Sequence, residues 1–524
     1  MADLTGVEQE TQRHLTHVAR GGAVGLVGAG VSAVATFGLA LVVTNRFSAE
    51  TAGLFFASTS VFLLLSAVAT LGTDTGLSRF LLRFEAQGRP GDIPAIVRTA
   101  VVPPVVLSVV LAVATLLVAE PLAAVIGLDG PGGADVMRVL AVLFPFATVG
   151  TVALAGTRAF GRMRTTVMVD KIARPVAQPL LVLLLSLGGS GVLLLTWAWS
   201  IPYAVAGVVS ALLFYRFVRR RGSLVGAAPT RSRREVRREF WGFTWPRAVS
   251  RISQVAIQRL DIILIAVLRS PTEAAVYTAA TRFVVLGQFG TLAIQQVLQP
   301  KFTALIARNE NESLREVYRI SAAWSMALVW PIYAIVGCAP LAYLGMFGDG
   351  YAGSDAVLVV WLMCVAMLFG VATGPADTLL MMSGRSRISL VNSLLALTLD
   401  VVLCLVLIPR MGISGAAVAW AVAVITRLTL AVWQNRGTLG GVGFGAAAGV
   451  VLAANVVCLI VPLLVIGLIV ELDLPVLMLA LLVCLPAYAG ALFLARRILM
   501  LSVLRGLFGR RGENASPGGD PAAF

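Results

Sequence analysis

The sequence predicts an all-α polytopic membrane protein with about fourteen transmembrane helices: two parallel-related six-helix halves plus two C-terminal helices. Three observations carry this. Hydrophobic residues are 58% of the 524 positions and charged residues 13%, with a mean hydropathy of +0.90. Apolar runs of membrane-crossing length recur from near residue 21 to near residue 497. The connections between them alternate in charge. A soluble domain carries about 25% charged residues, so a soluble enzyme is excluded as the main reading. No polar stretch is long enough for an outside domain, which excludes a singly anchored receptor.

Residues 1–20 are polar and read as a solvated tail holding both histidines, His14 and His17. The first apolar run, 21–45, is long enough to remain as an anchor, so no cleavable signal is expected. Arg79, Arg83 and Arg89 lie between runs two and three, 52–78 and 95–119, and Arg98 at the start of the third. Glu120 and Asp129 separate the third run from the fourth, 134–157. Arg158, Arg162, Arg164, Lys171 and Arg174 mark the passage to the fifth, 166–188. The sixth, 191–216, leads into the longest basic connection, Arg219 to Arg238, and then the seventh, 243–268. Arg269 lies ahead of the eighth, 275–300; Lys301, Arg308, Arg315 and Arg319 accompany the passage to the ninth, 318–345. Asp349 and Asp355 introduce the tenth, 355–382; Arg385 and Arg387 the eleventh, 388–408; Arg410 the twelfth, 412–435. The last two, 442–470 and 474–495, flank Glu471 and Asp473, and the tail adds Arg496, Arg497, Arg505, Arg510 and Arg511.

Lys and Arg collect on the cytoplasmic side of membrane proteins. The alternation therefore predicts an even number of spans, with both termini in the cytoplasm of a cell that carries the protein in its cytoplasmic (inner) membrane. The net charge of +15 is a loop-by-loop topology signal and not a nucleic-acid signature. Attraction to anionic lipid accounts for the basic linker. The expected organisation is a tail at 1–20, an N-terminal lobe at 21–218, the linker at 219–242, a C-terminal lobe at 243–436, two further helices at 437–497 and a tail at 498–524.

The halves repeat. Ser48-Ala49-Glu50-Thr51-Ala52-Gly53-Leu54-Phe55 and Ser270-Pro271-Thr272-Glu273-Ala274-Ala275-Val276-Tyr277 lie 222 residues apart. At the same offset Ala57 meets Ala279, Arg79 meets Lys301 and Phe80 meets Phe302. Parallel repeats in transporters place the substrate site between the halves.

A charge at a span centre costs about 2.5–3.5 kcal/mol, so embedded polar residues face a bundle interior or a wet cavity. Arg247, Arg251, Gln254, Gln258 and Asp261 follow spacings of 4, 3, 4 and 3, which gathers them within about 80° of one helix face. Lipid cannot border that face, and a water-filled central cavity is expected there. Thr59, Ser66, Thr70 and Thr73 stripe the second span; Thr281, Gln288, Gln295 and Gln299 stripe the eighth. The hydroxyls alone are explained by bonds to their own helix, the glutamines are not, and lumen lining is the expectation for both stripes. Similar depths allow Asp261 and Arg282 to pair, either as a structural ion pair or as an ion-coupling site. Asp377, Asp400 and Arg427 read as helix-packing contacts. Asp74 lies beside Arg79 near the cytoplasmic end.

The five cysteines sit singly in apolar runs and read as core residues. Neither Lys171 nor Lys301 follows a glycine, which excludes a P-loop. No metal site, cofactor or catalytic centre is expected, and transport driven by a gradient, by membrane potential or by consumption of the cargo remains.

Residues 347–436 carry a family resemblance. Phe347-Gly348-Asp349-Gly350-Tyr351 is similar to a short outer-loop motif of polysaccharide exporters. Ser383-Gly384-Arg385, Asn392 and the run Leu407-Ile408-Pro409-Arg410-Met411-Gly412-Ile413-Ser414-Gly415-Ala416-Ala417 resemble their eleventh-to-twelfth span signature. Asp261 through Val276-Tyr277-Thr278-Ala279-Ala280 resembles their seventh-to-eighth span pattern, and Leu71-Gly72 with Arg79 the end of their second span. The family is the Wzx-type polysaccharide flippases of the MOP exporter superfamily, which also holds MATE antiporters and the lipid II flippase. Asp400 departs from its pattern, in which an uncharged polar residue is usual. The resemblance implies a V-shaped pair of six-helix lobes plus two C-terminal helices. It also implies alternating access for an undecaprenyl-pyrophosphate-linked oligosaccharide. Arg247 and Arg251 would then draw the pyrophosphate, and Gln254, Gln258, Gln288 and Gln295 would suit sugar hydroxyls. A monomer is expected, with membrane lipid and a polysaccharide polymerase or glycosyltransferases as candidate partners and no nucleic acid. A MATE-like drug or cation antiporter, a lipid II flippase and a non-transporting scaffold are the competing readings.

Overall fold

The computed structural model describes residues 25, 27–128, 132–160, 163–189, 191–222, 231–439 and 445–500. The expectations for His14, His17, Asp129, Arg162 and the arginines at 505–511 lie outside them. Among the described residues the structure is helical, without strands.

α1 is Val27–Arg46. α2 is Ala49–Thr70, continued past a left-handed Leu71-Gly72 step by Thr73–Ala86. α3 is Ile93–Leu117, α4 Gly133–Ala159, and α6 Val192–Gly222. Between the last two, α5 strings together Met163–Thr166, a π-helical Val167–Ala173 and Arg174–Leu185. α7 is Arg233–Leu268, α8 Pro271–Ala307 and α9 Asn311–Cys338. α10 joins Ser354–Ala372 to Ala376–Met382. Ser386–Gln434 is divided by Gly412, at φ +59°, into α11 (386–411) and α12 (413–434). α13 spans 446–469 with a π-helical Val456–Ile460, and α14 is Leu474–Leu494. These fourteen segments follow the expected spans. Among the described residues ten helices, with Ser386–Gln434 taken as one, are long and apolar enough to cross a membrane. Those left out are α5, α7 and α8, and the last two are the ones that carry the polar stripe.

Local sequence sets the helix starts. Ser48, Ser270 and Asp473 each accept the backbone N–H three residues on. Ser232 and Glu235 form a reciprocal capping box at the start of α7. Such caps satisfy the orphan donors of a first turn.

Contacts between distant connections sort by parity. Arg83 at the end of α2 pairs with Glu239 (2.5 Å) beyond the α6–α7 connection, and Arg315 donates to the Thr438 carbonyl (2.9 Å) after α12. At the opposite end Asn45 donates to the Met346 carbonyl (2.9 Å), and Gly127 lies against Pro271. The basic connections thus gather at one end of the molecule and the acidic ones at the other.

The two lobes are joined at the acidic end. Gly53 of α2 meets Pro271 of α8 so closely that a Cβ would fall 1.6 Å from the Pro271 oxygen. Phe37, Tyr343 and Phe347 interlock α1 with the short helix Pro340–Gly345 that follows α9. Toward the basic end, α7 changes partners. Val236 and Phe240 pack in an apolar cluster with Leu77, Phe80, Phe84, Ile96 and Phe214 of the N-terminal half. Ile257, Ile262 and Ile265 of the same helix join the large central core. α13 and α14 attach to α9 through Tyr488, which donates to the Ala327 carbonyl (2.9 Å) and accepts from Asn455 (3.2 Å).

Candidate functional site

The polar face of α7 has three zones. At the bottom, Val236, Phe240, Thr244 and Ala248 are buried against α2. This contact depends on glycine: a Cβ on Gly72 would stand 2.7 Å from the Ala248 nitrogen, and one on Gly76 2.4 Å from the Thr244 hydroxyl. In the middle, Ser253, Ala256 and Ile257 are buried on the face opposite the stripe. Arg247, Arg251 and Gln258 are exposed there and Gln254 is half-buried. At the top, Asp261, Ile262, Ile265 and Ala266 are buried, while Val267 and Leu268 on the other side of the helix are exposed. The stripe is therefore open from Arg247 to Gln258 and sealed at Asp261.

α8 follows the same plan. Ala274, Ala275, Tyr277, Ala279, Ala280 and Phe283 are buried in the central core, while Gln288, Gln295 and Gln299 are half-buried below them. The hydroxyl stripe of α2 turns out differently. Thr59, Thr70 and Thr73 are buried and donate to the carbonyls of Phe56, Ser66 and Thr70 in their own helix. They do not line an open lumen, and only Ser66 is half-buried. The hydroxyls satisfy themselves locally, which glutamines cannot do.

The sealed zone is a buried polar knot. Asp261 accepts from the Tyr277 hydroxyl (2.7 Å) and from the Ile262 N–H (2.8 Å). It does not pair with Arg282 as depth alone allows. Arg282, 9% exposed, stacks over Phe56 at 5.3 Å, and its Nε has no hydrogen-bond partner. Arg259, half-buried, is within electrostatic reach of Tyr203, Asp261 and Arg282. Asp400 on α11 is 1% exposed, feels the charge of Asp261, and has one oxygen without a partner. Asp377 accepts from Ser389 (2.6 Å), a packing contact between α10 and α11.

At the basic end, Arg79 does not neutralise Asp74. It lies over the Phe243 ring at 4.0 Å, and Arg247 lies over the same ring at 4.2 Å. Sequence reasoning missed Phe243 and Tyr277, because an aromatic residue in an apolar run reads as core. A second polar cluster was only partly legible: Arg174 binds Asp170 (2.8 Å) and stacks on Tyr203 at 4.4 Å, within and beside the π-helical turn of α5. Among the described residues no group of His, Cys, Asp and Glu is arranged to hold a metal, and the five cysteines are free.

A family model described as polysaccharide biosynthesis protein matches residues 55–354. No curated protein matches the sequence. Among solved structures, the lipid II flippase MurJ in its inward closed conformation aligns with a TM-score of 0.65 at 11% identity, covering 90% of this chain and 99% of that one. A MOP superfamily transporter from Pyrococcus furiosus, described by the reverse polarity of its binding pocket, gives 0.52 at 17% identity, covering 81% and 95%. An outward-facing MATE multidrug resistance transporter gives 0.51 at 18% identity, covering 81% and 96%. At these identities the likeness is one of fold, and the fold is that of a multi-pass MOP transporter. With more than half of its length matched by the family model, the chain belongs to the polysaccharide biosynthesis protein family.

Proposed function

We propose that the protein is a flippase. It carries undecaprenyl-pyrophosphate-linked oligosaccharide units across the cytoplasmic membrane by alternating access, for cell-surface polysaccharide biosynthesis. The observation that carries this reading is the zoning of α7: a basic and amide face exposed from Arg247 to Gln258, between lower turns buried against α2 and the buried Asp261. With the basic end cytoplasmic, both termini are cytoplasmic and the open face receives cargo from the inner leaflet. A pyrophosphate is attracted to Arg247 and Arg251 where dielectric screening is weak. Gln254, Gln258, Gln288 and Gln295 supply donors and acceptors for sugar hydroxyls. The lipid tail stays in the bilayer, so no closed apolar pocket is required. Asp261 and Arg282 sit where the lobes meet and take the ion-coupling role, each acting separately on the sealed zone since they are not bonded to each other. The protein works as a monomer, with a polysaccharide polymerase or glycosyltransferases as partners, and is a transporter and not an enzyme.

A lipid II flippase is the nearest alternative, supported by the fold shared with MurJ. A MATE-like cation antiporter fits less well, because a cationic drug prefers acidic walls. The test is export of lipid-linked glycan in cells lacking the protein, rescued by wild type, Arg251→Ala or Asp261→Asn. Wild type should restore outer-leaflet glycan, and well-expressed Arg251→Ala should leave it at least about tenfold lower, the loss of one charge-assisted phosphate contact. Intact surface glycan in cells without the protein would sink the reading.

A further inference from the structure

The base of α9 carries four charges that neither the core nor the proposed cargo path uses. Glu312, Arg315, Glu316 and Arg319 fall within about 100° of one helix face. Their spacings are those at which opposite charges meet on a helix surface, yet among the described residues they form no ion pair with one another. Exposed charges without partners are ordinary on a solvated face. These four differ because they form one wall of a cavity of about 500 Å³.

Three other segments complete that cavity. Leu439 follows α12, Ala446 and Ala447 open α13, and Ile498 and Met500 follow α14. The walls are tied together. Arg315 donates through its Nε to the Thr438 carbonyl (2.9 Å), and the stem of Arg319 lies along Gly445. The Trp324 indole donates to the carbonyl of Leu499 (2.8 Å), a buried residue, which pins the chain beyond α14 to α9. Met500 then turns away with a left-handed φ of +48°, a conformation that a residue with a Cβ keeps only where its surroundings impose it. The groove between α1 and α5 is the contrast: Val31, Val34, Val176 and Leu180 line it, and no charged residue does.

The cavity stands at the edge of the apolar layer. α9 has no charged residue from Ile320 to Cys338, α13 none from Ala446 onward, and α14 none before Arg496. Its charges therefore lie at headgroup level, with charge-free helix beyond them facing the acyl chains.

We propose that this cavity binds the headgroup of a phosphatidylethanolamine in the leaflet at the basic end, its phosphate on Arg315 and Arg319 and its ammonium on Glu312 and Glu316. The site does not depend on what the protein carries. Two acids and two bases give it no net charge, which suits a zwitterion. Helix neighbours three and four apart stand about 5–6 Å apart at Cβ, close to the separation of phosphate and ammonium within one headgroup. Guanidinium forks fit phosphate oxygens, and a primary ammonium gives the carboxylates charged donors. A choline headgroup has no N–H to donate. A glycerol headgroup leaves both carboxylates facing an anion.

The test is native mass spectrometry of the full-length protein titrated with phosphatidylethanolamine, phosphatidylcholine and phosphatidylglycerol. Wild type should bind the first at least about tenfold more tightly than either of the others, the factor that one charge-assisted hydrogen bond supplies. Glu312→Gln with Glu316→Gln leaves two cations and should reverse the order, with phosphatidylglycerol tightest by about threefold or more. A solvated face has no preference to reverse, and a misfolded variant gains no ligand. Arg315→Gln with Arg319→Gln should weaken phosphatidylethanolamine by about tenfold. Soluble phosphoethanolamine should compete only at far higher concentration than the lipid, since it lacks the chains that hold the lipid at the bilayer edge; equal strength identifies a free zwitterion and overturns the lipid assignment. Equal binding of the three lipids by wild type, or tightest binding of phosphatidylglycerol or phosphatidylcholine, overturns the site. An unchanged preference in the two monodisperse double variants overturns it as well.

Discussion

At the residue scale the sealed zone is governed by what each buried polar atom can reach. Asp261 was legible as an embedded carboxylate, and its depth matched that of Arg282. The partner that holds it is Tyr277, from the second turn of the next helix. A tyrosine in an apolar run gives no warning of this, because its ring belongs to the core and only its hydroxyl does the bonding. Removing one partner of a buried polar pair costs about 1–3 kcal/mol, more when the remaining group is charged. Tyr277→Phe should therefore lower the unfolding temperature of the purified protein, while Thr281→Val, whose hydroxyl bonds its own helix, should barely move it. Adding Asp261→Asn to Tyr277→Phe should recover part of the loss. Equal unfolding temperatures for wild type and Tyr277→Phe would remove the hydrogen bond from the account.

At the element scale α7 does two jobs with one periodicity. Its capping box starts it at Ser232, well before the apolar run that marks the seventh span. The extra turns are polar enough to escape a hydropathy reading, yet they place Val236 and Phe240 in the N-terminal apolar cluster. The helix therefore ties the two halves together at the basic end. Phe240 is fully buried, and Phe240→Ala should cost about 3–5 kcal/mol by the usual penalty for emptying an aromatic site. Gln258→Ala, on the open face, should leave the unfolding midpoint nearly unchanged and reduce export instead. If Phe240→Ala loses export with no loss of stability, the lower part of α7 has a role other than packing. The stripe of α2 shows the limit of periodicity: it placed Thr59, Ser66, Thr70 and Thr73 on one face correctly but could not tell a wet face from one whose hydroxyls bond their own carbonyls.

At the scale of the whole molecule the lobes meet at the acidic end and again through the lower turns of α7, with the exposed polar face of α7 between the two contacts. Gly53 against Pro271 and Asn45 against the Met346 carbonyl are the closures. The alternating access proposed above would require those contacts to break. With the five native cysteines replaced, Asn45→Cys and Met346→Cys should crosslink under oxidation, halt glycan export and release it on reduction. A crosslinked protein that exports at the wild-type rate would show that the acidic end need not open.

The sequence by itself determined the number of spans, their order, the parity of the connections and the polar faces of α7 and α8. These rest on hydropathy, charge and helical spacing, which are properties of short stretches of chain. The tertiary structure decided which polar groups are satisfied and by whom: Tyr277 for Asp261, Phe243 for both Arg79 and Arg247, and no hydrogen-bond partner for the Nε of Arg282 among the described residues. It also decided that the α7 stripe is open below Asp261 and shut above it. Partners in these contacts come from helices far apart in sequence, and angles between packed helices, set by glycines such as Gly53 and Gly72, determine which side chains arrive.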